Sequence, residues 1–109
     1  MASLQRTLID NFDELLIKIE KGIVEGSVSA SLEDSYDFKS GDARCSVRVF
    51  ERYSYIGGNR VSMNVTLFQN SGGPIDLCAI TAGGSQAIFF KMNTWGEETF
   101  LDKLREIID

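Results

Sequence analysis

A row of arginine and aromatic residues is the part of this sequence that could bind an anion or stack on a base. On an expected hairpin, one side would carry Arg44, Arg48, Phe50, Arg52, Arg60, Asn64 and Phe68. Arginine binds phosphates, and exposed aromatic rings stack on nucleobases. The same residues are also typical of a solvated sheet surface and of subunit interfaces. We favour the solvated surface, with a subunit contact second and nucleic acid last.

Two carboxylates interrupt rows that are otherwise apolar. Glu51 falls on the side of its strand that is predicted to face the core, and Asp34 interrupts the corresponding row of the preceding strand. A simple meander pairs residue 34 with 47 and residue 30 with 51. Buried carboxylates are costly unless they are paired, so the two could line a polar pocket suited to acid–base chemistry or a hard cation. We favour a β-bulge or a strand end that lets both reach water.

A small-molecule pocket between sheet and helices is the second functional possibility. Its candidate lining residues are Glu51, Tyr53, Tyr55, Met63 and Trp95. Such a pocket could carry weak enzymatic activity, although the sequence argues against an enzyme overall.

The sequence contains no histidine, which excludes His-based triads and His-ligated metals. Cys45 is predicted to face inward and Cys78 outward, so the two should remain free thiols with no base to activate them. We therefore expect no catalytic residue, no metal site and no cofactor. The net charge of −5 repels nucleic acid and anionic membranes at long range.

Two amphipathic helices are predicted, one near each end of the 109-residue chain. Asn11 and Glu14 form a capping-box pattern before the first helix, which should end near Gly26. Its apolar stripe is Phe12, Leu15, Leu16, Ile19 and Ile23. Thr94 and Glu97 predict a second capping box, followed by a helix over residues 95–108.

Between the helices the hydrophobic period changes to two, which indicates strands. Strands are expected over residues 27–38, 43–55, 60–69, from 75 onward and over 87–90, and residues 3–9 could add an edge strand. In the strands of residues 43–69 the odd-numbered residues form the more apolar row. Keeping odd opposite odd requires a three-residue turn that pairs 56 with 60 and 53 with 63. The fold predicted is one α+β domain over residues 1–109, with two layers. It has an antiparallel meander of four to six strands and both helices on the odd face, a helix-grip-like architecture.

Three segments, 50–66, 83–87 and 89–98, resemble a family of small uncharacterised bacterial proteins, mainly from Firmicutes, classed as a domain of unknown function. The resemblance implies no activity, cofactor or catalytic residue. The leading hypothesis is a cytoplasmic, non-enzymatic interaction domain, expected to be a homodimer and not to bind a membrane.

Overall fold

The computed structural model describes residues 1–54, 59–83 and 90–109, which form a five-stranded antiparallel sheet with two helices on one face. The strands are β1 (Ala2–Leu8), β2 (Ser31–Ser40), β3 (Ala43–Ser54), β4 (Asn59–Asn70) and β5 (Ile75–Gly83). The helices are α1 (Phe12–Gly26) and α2 (Phe90–Ile108). The strand order is β1-β5-β4-β3-β2. The predicted α+β class is confirmed, and the N-terminal edge strand, which the sequence left open, is present as β1.

Helix α1 begins where its sequence predicts. The Asn11 side chain accepts a hydrogen bond from the Glu14 backbone N–H at 2.9 Å, which satisfies one of the free donors of the first turn. All five residues of the predicted apolar stripe are buried. The helix therefore forms because a capping residue and a continuous apolar stripe specify the same boundaries and the same face.

Helix α2 begins at Phe90, four residues before the predicted cap at Thr94, so the prediction of a capping box there is wrong. Phe90 was assigned to a strand over 87–90, whose other residues lie outside those the structure describes. For Phe90 the strand assignment is wrong, because a short apolar run does not distinguish a strand from a helix. Further along, Phe100, Leu101 and Leu104 are buried in the core.

The two helices pack closely at Gly22. A Cβ built on Gly22 would lie 2.5 Å from Cδ1 and 2.7 Å from Cγ1 of Ile107. Carbon atoms in normal contact lie about 3.5–4.0 Å apart. Glycine at this position therefore lets α1 approach α2 more closely than any other residue would.

The register of β3 against β4 differs from the prediction. Tyr53 pairs with Arg60 and Phe50 with Met63, whereas the parity argument pairs 53 with 63. Odd-numbered residues of β3 therefore share a face with even-numbered residues of β4. Residues 55–58, which connect the two strands, lie outside the described part of the chain. The inward and outward sides predicted for β3 are exchanged as a result.

Candidate interaction face

The two faces of the sheet differ in what lies against them. The covered face packs on α1 and α2 and holds the core. The open face is the other one, and neither of the described helices packs on it. Three rows of paired residues, read from β1 to β2, make up its centre. They are Thr7, Asp76, Phe68, Cys45 and Phe38; Gln5, Cys78, Thr66, Val47 and Tyr36; and Ser3, Ile80, Asn64, Val49 and Asp34.

Aromatic rings project from this open face. Tyr36 is 63%, Phe38 54% and Phe68 41% exposed. The Tyr36 and Phe38 rings stack on each other with their centroids 4.6 Å apart. An aromatic residue offers roughly 200 Å² of surface, so these three rings together expose about 300 Å². That value already lies in the range of the largest apolar patch on a typical monomer, about 300–600 Å².

Most apolar residues of the open face lie on one side of it. We call Tyr36, Phe38, Cys45, Val47, Val49 and Phe68 the apolar patch; it covers β2, β3 and part of β4. Its rim carries Asp34 and an ion pair in which Arg60 Nε lies 2.9 Å from Glu51 Oε1. On the β1 side the residues are mostly polar, with Ile80 on β5 as the exposed exception. The face thus has an uncharged centre with charges at its edge, as protein interfaces have.

Two of the grooves along the open face are larger than the one at Asp34, Tyr36 and Val49. One has a volume of about 520 Å³, and its lining includes Thr7, Thr66, Phe68, Asp76 and Cys78. The other has a volume of about 220 Å³ and lies between Phe38 and Phe68, over Ala43 and Cys45.

Arg48, predicted to point outward, is buried on the covered face with 6% of its surface exposed. Its Nε lies 2.6 Å from Glu20 Oε1 of α1, and its Nη1 lies 3.1 Å from Asp37 Oδ1 of β2. It also donates to the carbonyl of Val47 at 2.9 Å. Burial alone acts to lower the pKa of Arg48, but the hydrogen bonds to Glu20 and Asp37 outweigh it and raise that pKa. One buried cation thus connects a helix and two strands.

The prediction that Phe50 and Arg52 point outward is also wrong. Phe50 is fully buried in the core. The guanidinium of Arg52 lies 4.7 Å above the Phe100 ring and donates to Ser27 Oγ at 3.0 Å, and burial lowers the pKa of Arg52.

Arg44 completes the arginine row and is likewise turned toward α1. It lies 4.0 Å above the Phe12 ring and 2.8 Å from Asp13 Oδ1. The three arginines of β3 therefore face the helices, and their guanidinium groups contact residues on that side of the sheet. Asp13 and Glu20 of α1 pair with Arg44 and Arg48. These acidic residues of the helix were the sequence signal for this arrangement.

The remaining surface candidates Arg60, Asn64 and Phe68 lie on the open face, the side expected for them. The pocket candidates that the structure describes do not come together. Met63 is fully buried on the covered face, whereas Glu51 and Tyr53 belong to the opposite row of β3. Tyr55 and the side chain of Trp95 lie outside the described part of the structure.

The two carboxylates that the sequence placed in apolar rows, Asp34 and Glu51, are not buried together. The β2–β3 register shifts between Leu32 and Asp34, so that Asp34 pairs with Val49 and Ser31 pairs with Glu51. Asp34 is exposed, and the Glu51 carboxylate pairs with Arg60 at the rim. The predicted pairings of 34 with 47 and of 30 with 51 are wrong. The register shift agrees with the predicted bulge for Asp34, whereas Glu51 reaches the surface because β3 presents its odd row to the open face, contrary to the core side predicted for it.

Both cysteines lie on the open face, half-buried and free. The outward orientation of Cys78 is confirmed and the inward orientation of Cys45 is wrong, because β3 presents its odd row to this face. Among the described residues, no three side chains of His, Cys, Asp or Glu lie close enough to hold a metal ion. Neither described helix is long and apolar enough to cross a membrane.

The family model of DUF6054, a family of unknown function, matches residues 1–109. The chain belongs to this family. No curated protein matches it, and no solved structure does. The function of this DUF6054 protein therefore has to be inferred from its own surface.

Proposed function

We propose that this protein is a non-enzymatic interaction domain that works as a homodimer, with the open face of its sheet as the contact surface. The observation that carries the proposal is the apolar patch, where three aromatic rings are about half exposed on a sheet face that the described helices leave open. Burying apolar surface is the main favourable term in association. Covering this face with a partner is therefore more favourable in free energy than leaving it exposed to water.

The size of the face supports a second copy as the occupant. Five strands spaced about 4.8 Å apart, with about nine residues of 3.3 Å each, give a face of roughly 24 × 30 Å, or about 700 Å² in projection. A stable interface buries about 800 Å² on each partner. A second copy offers the same area and the same apolar patch, so the two faces can pack as a β-sandwich with sheets about 10 Å apart.

The charge of the chain sets how the dimer should respond to salt. Each copy carries −5, so two copies repel each other at long range while their apolar patches attract. Added salt screens that repulsion. Dimerisation should therefore strengthen as ionic strength rises, which is the opposite of what binding to a nucleic acid shows.

The proposal places the protein in the cytoplasm of a bacterium, where two free thiols would stay reduced. Nucleic-acid binding on the arginine row is not proposed, because Arg44, Arg48 and Arg52 face the helices.

Light scattering coupled to size-exclusion chromatography tests the proposal. The unmodified protein should be a dimer at micromolar concentration. Phe68→Asp puts a charge in the apolar patch and should weaken dimerisation at least tenfold. Ile17→Asp, which puts the same charge on the exposed side of α1 and away from the open face, is the matched control and should leave the dimer intact. Circular dichroism checks that both variants fold. A monomeric wild type, or a dimer unaffected by Phe68→Asp, would refute the proposal.

A second candidate function is binding of a small molecule in the 520 Å³ groove. Its volume lies within the range of known ligand sites, about 300–1,000 Å³. It combines the Asp76 carboxylate with the exposed Phe68 ring, which suits a ligand with a cationic and an apolar part. Native mass spectrometry of freshly purified protein should show a bound species that Asp76→Asn releases. A spectrum with only the bare mass of the protein, or a bound species that Asp76→Asn retains, would contradict this function.

A further inference from the structure

The three arginines on the covered side of β3 contact α1 and the residue after it at regular intervals. The arginines recur every four residues along the strand, about 13 Å apart. Their partners recur every seven residues along the helix, about 10.5 Å apart. The contacting atoms lie 2.8, 2.6 and 3.0 Å from each other. We call this set the arginine ladder, and its three pairs are Arg44 with Asp13, Arg48 with Glu20, and Arg52 with Ser27.

Arg52 differs from the other two arginines in having a hydroxyl group where they have a carboxylate. Within the described part of the chain its guanidinium contacts the Ser27 hydroxyl and the Phe100 ring, and no carboxylate. The neighbouring Glu51 belongs to the other face of β3 and pairs with Arg60. Burial lowers the pKa of Arg52, whereas a nearby carboxylate would act in the opposite direction. The third position of the ladder therefore holds a half-buried cation whose charge the described residues do not neutralise.

We infer that Arg52 and Ser27 bind a small oxyanion, a carboxylate or a phosphate group, at the position where the ladder lacks a carboxylate of its own. A guanidinium group presents two parallel N–H donors that match the oxygens of either group. Ser27 Oγ accepts the hydrogen bond from Arg52, so the hydroxyl proton can be donated to the same ligand. Both side chains are half-buried, so the ligand can reach them while it is partly shielded from water.

The turn that carries Ser27 is fixed at the end of β3. The Tyr53 backbone N–H donates to Ser29 Oγ at 3.0 Å, and the Ala30 N–H donates to the Ser27 carbonyl at 3.2 Å. These bonds hold the Ser27 hydroxyl beside Arg52. Because both groups are already positioned, binding costs little ordering entropy.

A different role for Arg52 would be to offset the partial negative charge at the end of α1. The last turn of that helix carries no basic residue, and a cation near free C-terminal carbonyls is stabilising. If that were the whole role of Arg52, added oxyanions would not bind there. The two roles therefore differ in a response that can be measured.

The experiment is a titration of the wild-type protein with sodium phosphate and, separately, with sodium acetate, followed by heteronuclear NMR. Ionic strength is held constant with sodium chloride. The side-chain Nε–H signal of Arg52 and the backbone signals of residues 27–30 should shift and saturate. The Nε–H signals of Arg44 and Arg48 should not shift, because carboxylates already occupy those guanidinium groups. Saturation at a lower concentration of phosphate than of acetate would assign the site to a phosphate group, and the reverse order to a carboxylate.

Two variants and a control show whether the ladder position is responsible. Arg52→Gln removes the cation and should weaken binding at least tenfold. Ser27→Glu supplies the missing carboxylate within the chain and should abolish binding while keeping the arginine. Arg105→Gln removes an equal charge from the surface of α2, where Arg105 pairs with Glu98 and Asp102, and should bind as the wild type does.

Circular dichroism checks that each variant folds, and Ser27→Glu provides the comparison if Arg52→Gln does not. Three results would overturn the inference: shifts that sodium chloride alone reproduces, shifts that spread over the surface without saturating, and binding that Ser27→Glu retains. Equal weakening by Arg105→Gln would also overturn it, because the anion would then respond only to net charge. The site lies on the covered side of the sheet, so none of these results bears on the proposed homodimer.

Discussion

Replacing Gly22 by alanine should destabilise the protein in the wild-type background and stabilise it when Ile107 is removed. The added Cβ would lie 2.5 Å from Cδ1 and 2.7 Å from Cγ1 of Ile107, about 1 Å inside normal contact. Relieving this overlap by moving Ile107 costs about 2 kcal/mol, in the middle of the range for overpacked cores. Alanine is the better helix former by about 1 kcal/mol. The net expected loss is about 1 kcal/mol of unfolding free energy.

In the Ile107→Ala background the conflicting atoms are absent, so only the helix propensity remains. Gly22→Ala should then raise the unfolding free energy by about 1 kcal/mol, which makes a coupling of about 2 kcal/mol between the two positions. Urea unfolding followed by circular dichroism measures all four variants. Because the proposed dimerisation would contribute to apparent stability, the cycle is run at one protomer concentration. If Gly22→Ala stabilised both backgrounds equally, α1 and α2 would not be in contact at this point, and the packing described above would be refuted.

Three further predictions concern the cap, the buried cation and the two faces of the sheet. Asn11→Ala should lower the unfolding free energy by about 1 kcal/mol through loss of the cap, and no change in urea unfolding would contradict the capping bond. Hydrogen bonds from Ser46 and then from Arg48 lower the pKa of Asp37, so its stabilising contribution is present above about pH 4 and is lost as the pH falls below it. Asp37→Asn should therefore flatten the acid part of the stability curve, and an unchanged curve would argue against this contribution. Val49→Asp should leave a folded monomer and Val65→Asp should unfold the protein, as judged by circular dichroism and light scattering; equal effects would mean that the two faces are assigned wrongly.

The sequence was sufficient to predict an element's boundary or its buried face where the signal lay within that element. The start of α1 follows from Asn11, and its buried face follows from residues that recur at helical spacing. The inner rows of β4 and β5 were also predictable, because their apolar residues alternate without interruption. In such elements one periodicity and one cap specify both the boundary and the face.

The orientation of β3 could not be predicted because both of its rows combine apolar and polar residues. Its buried row contains Arg48, which tertiary partners on α1 and β2 neutralise, and the more apolar row faces away from the helices. Hydrophobicity counted along a single strand contains no information on such partners. The same error moved Phe50 from the surface to the core and Cys45 from the core to the open face.

The Arg48 ion-pair cluster anchors an edge strand whose side chains are otherwise almost all exposed. Asp37 points to the covered face and holds β2 in place, while its neighbours Tyr36 and Phe38 point the other way. The side chains of the open face and the contacts that hold the strand therefore occupy alternate residues of β2. Changing every second residue would alter the open face and leave the framework contacts in place.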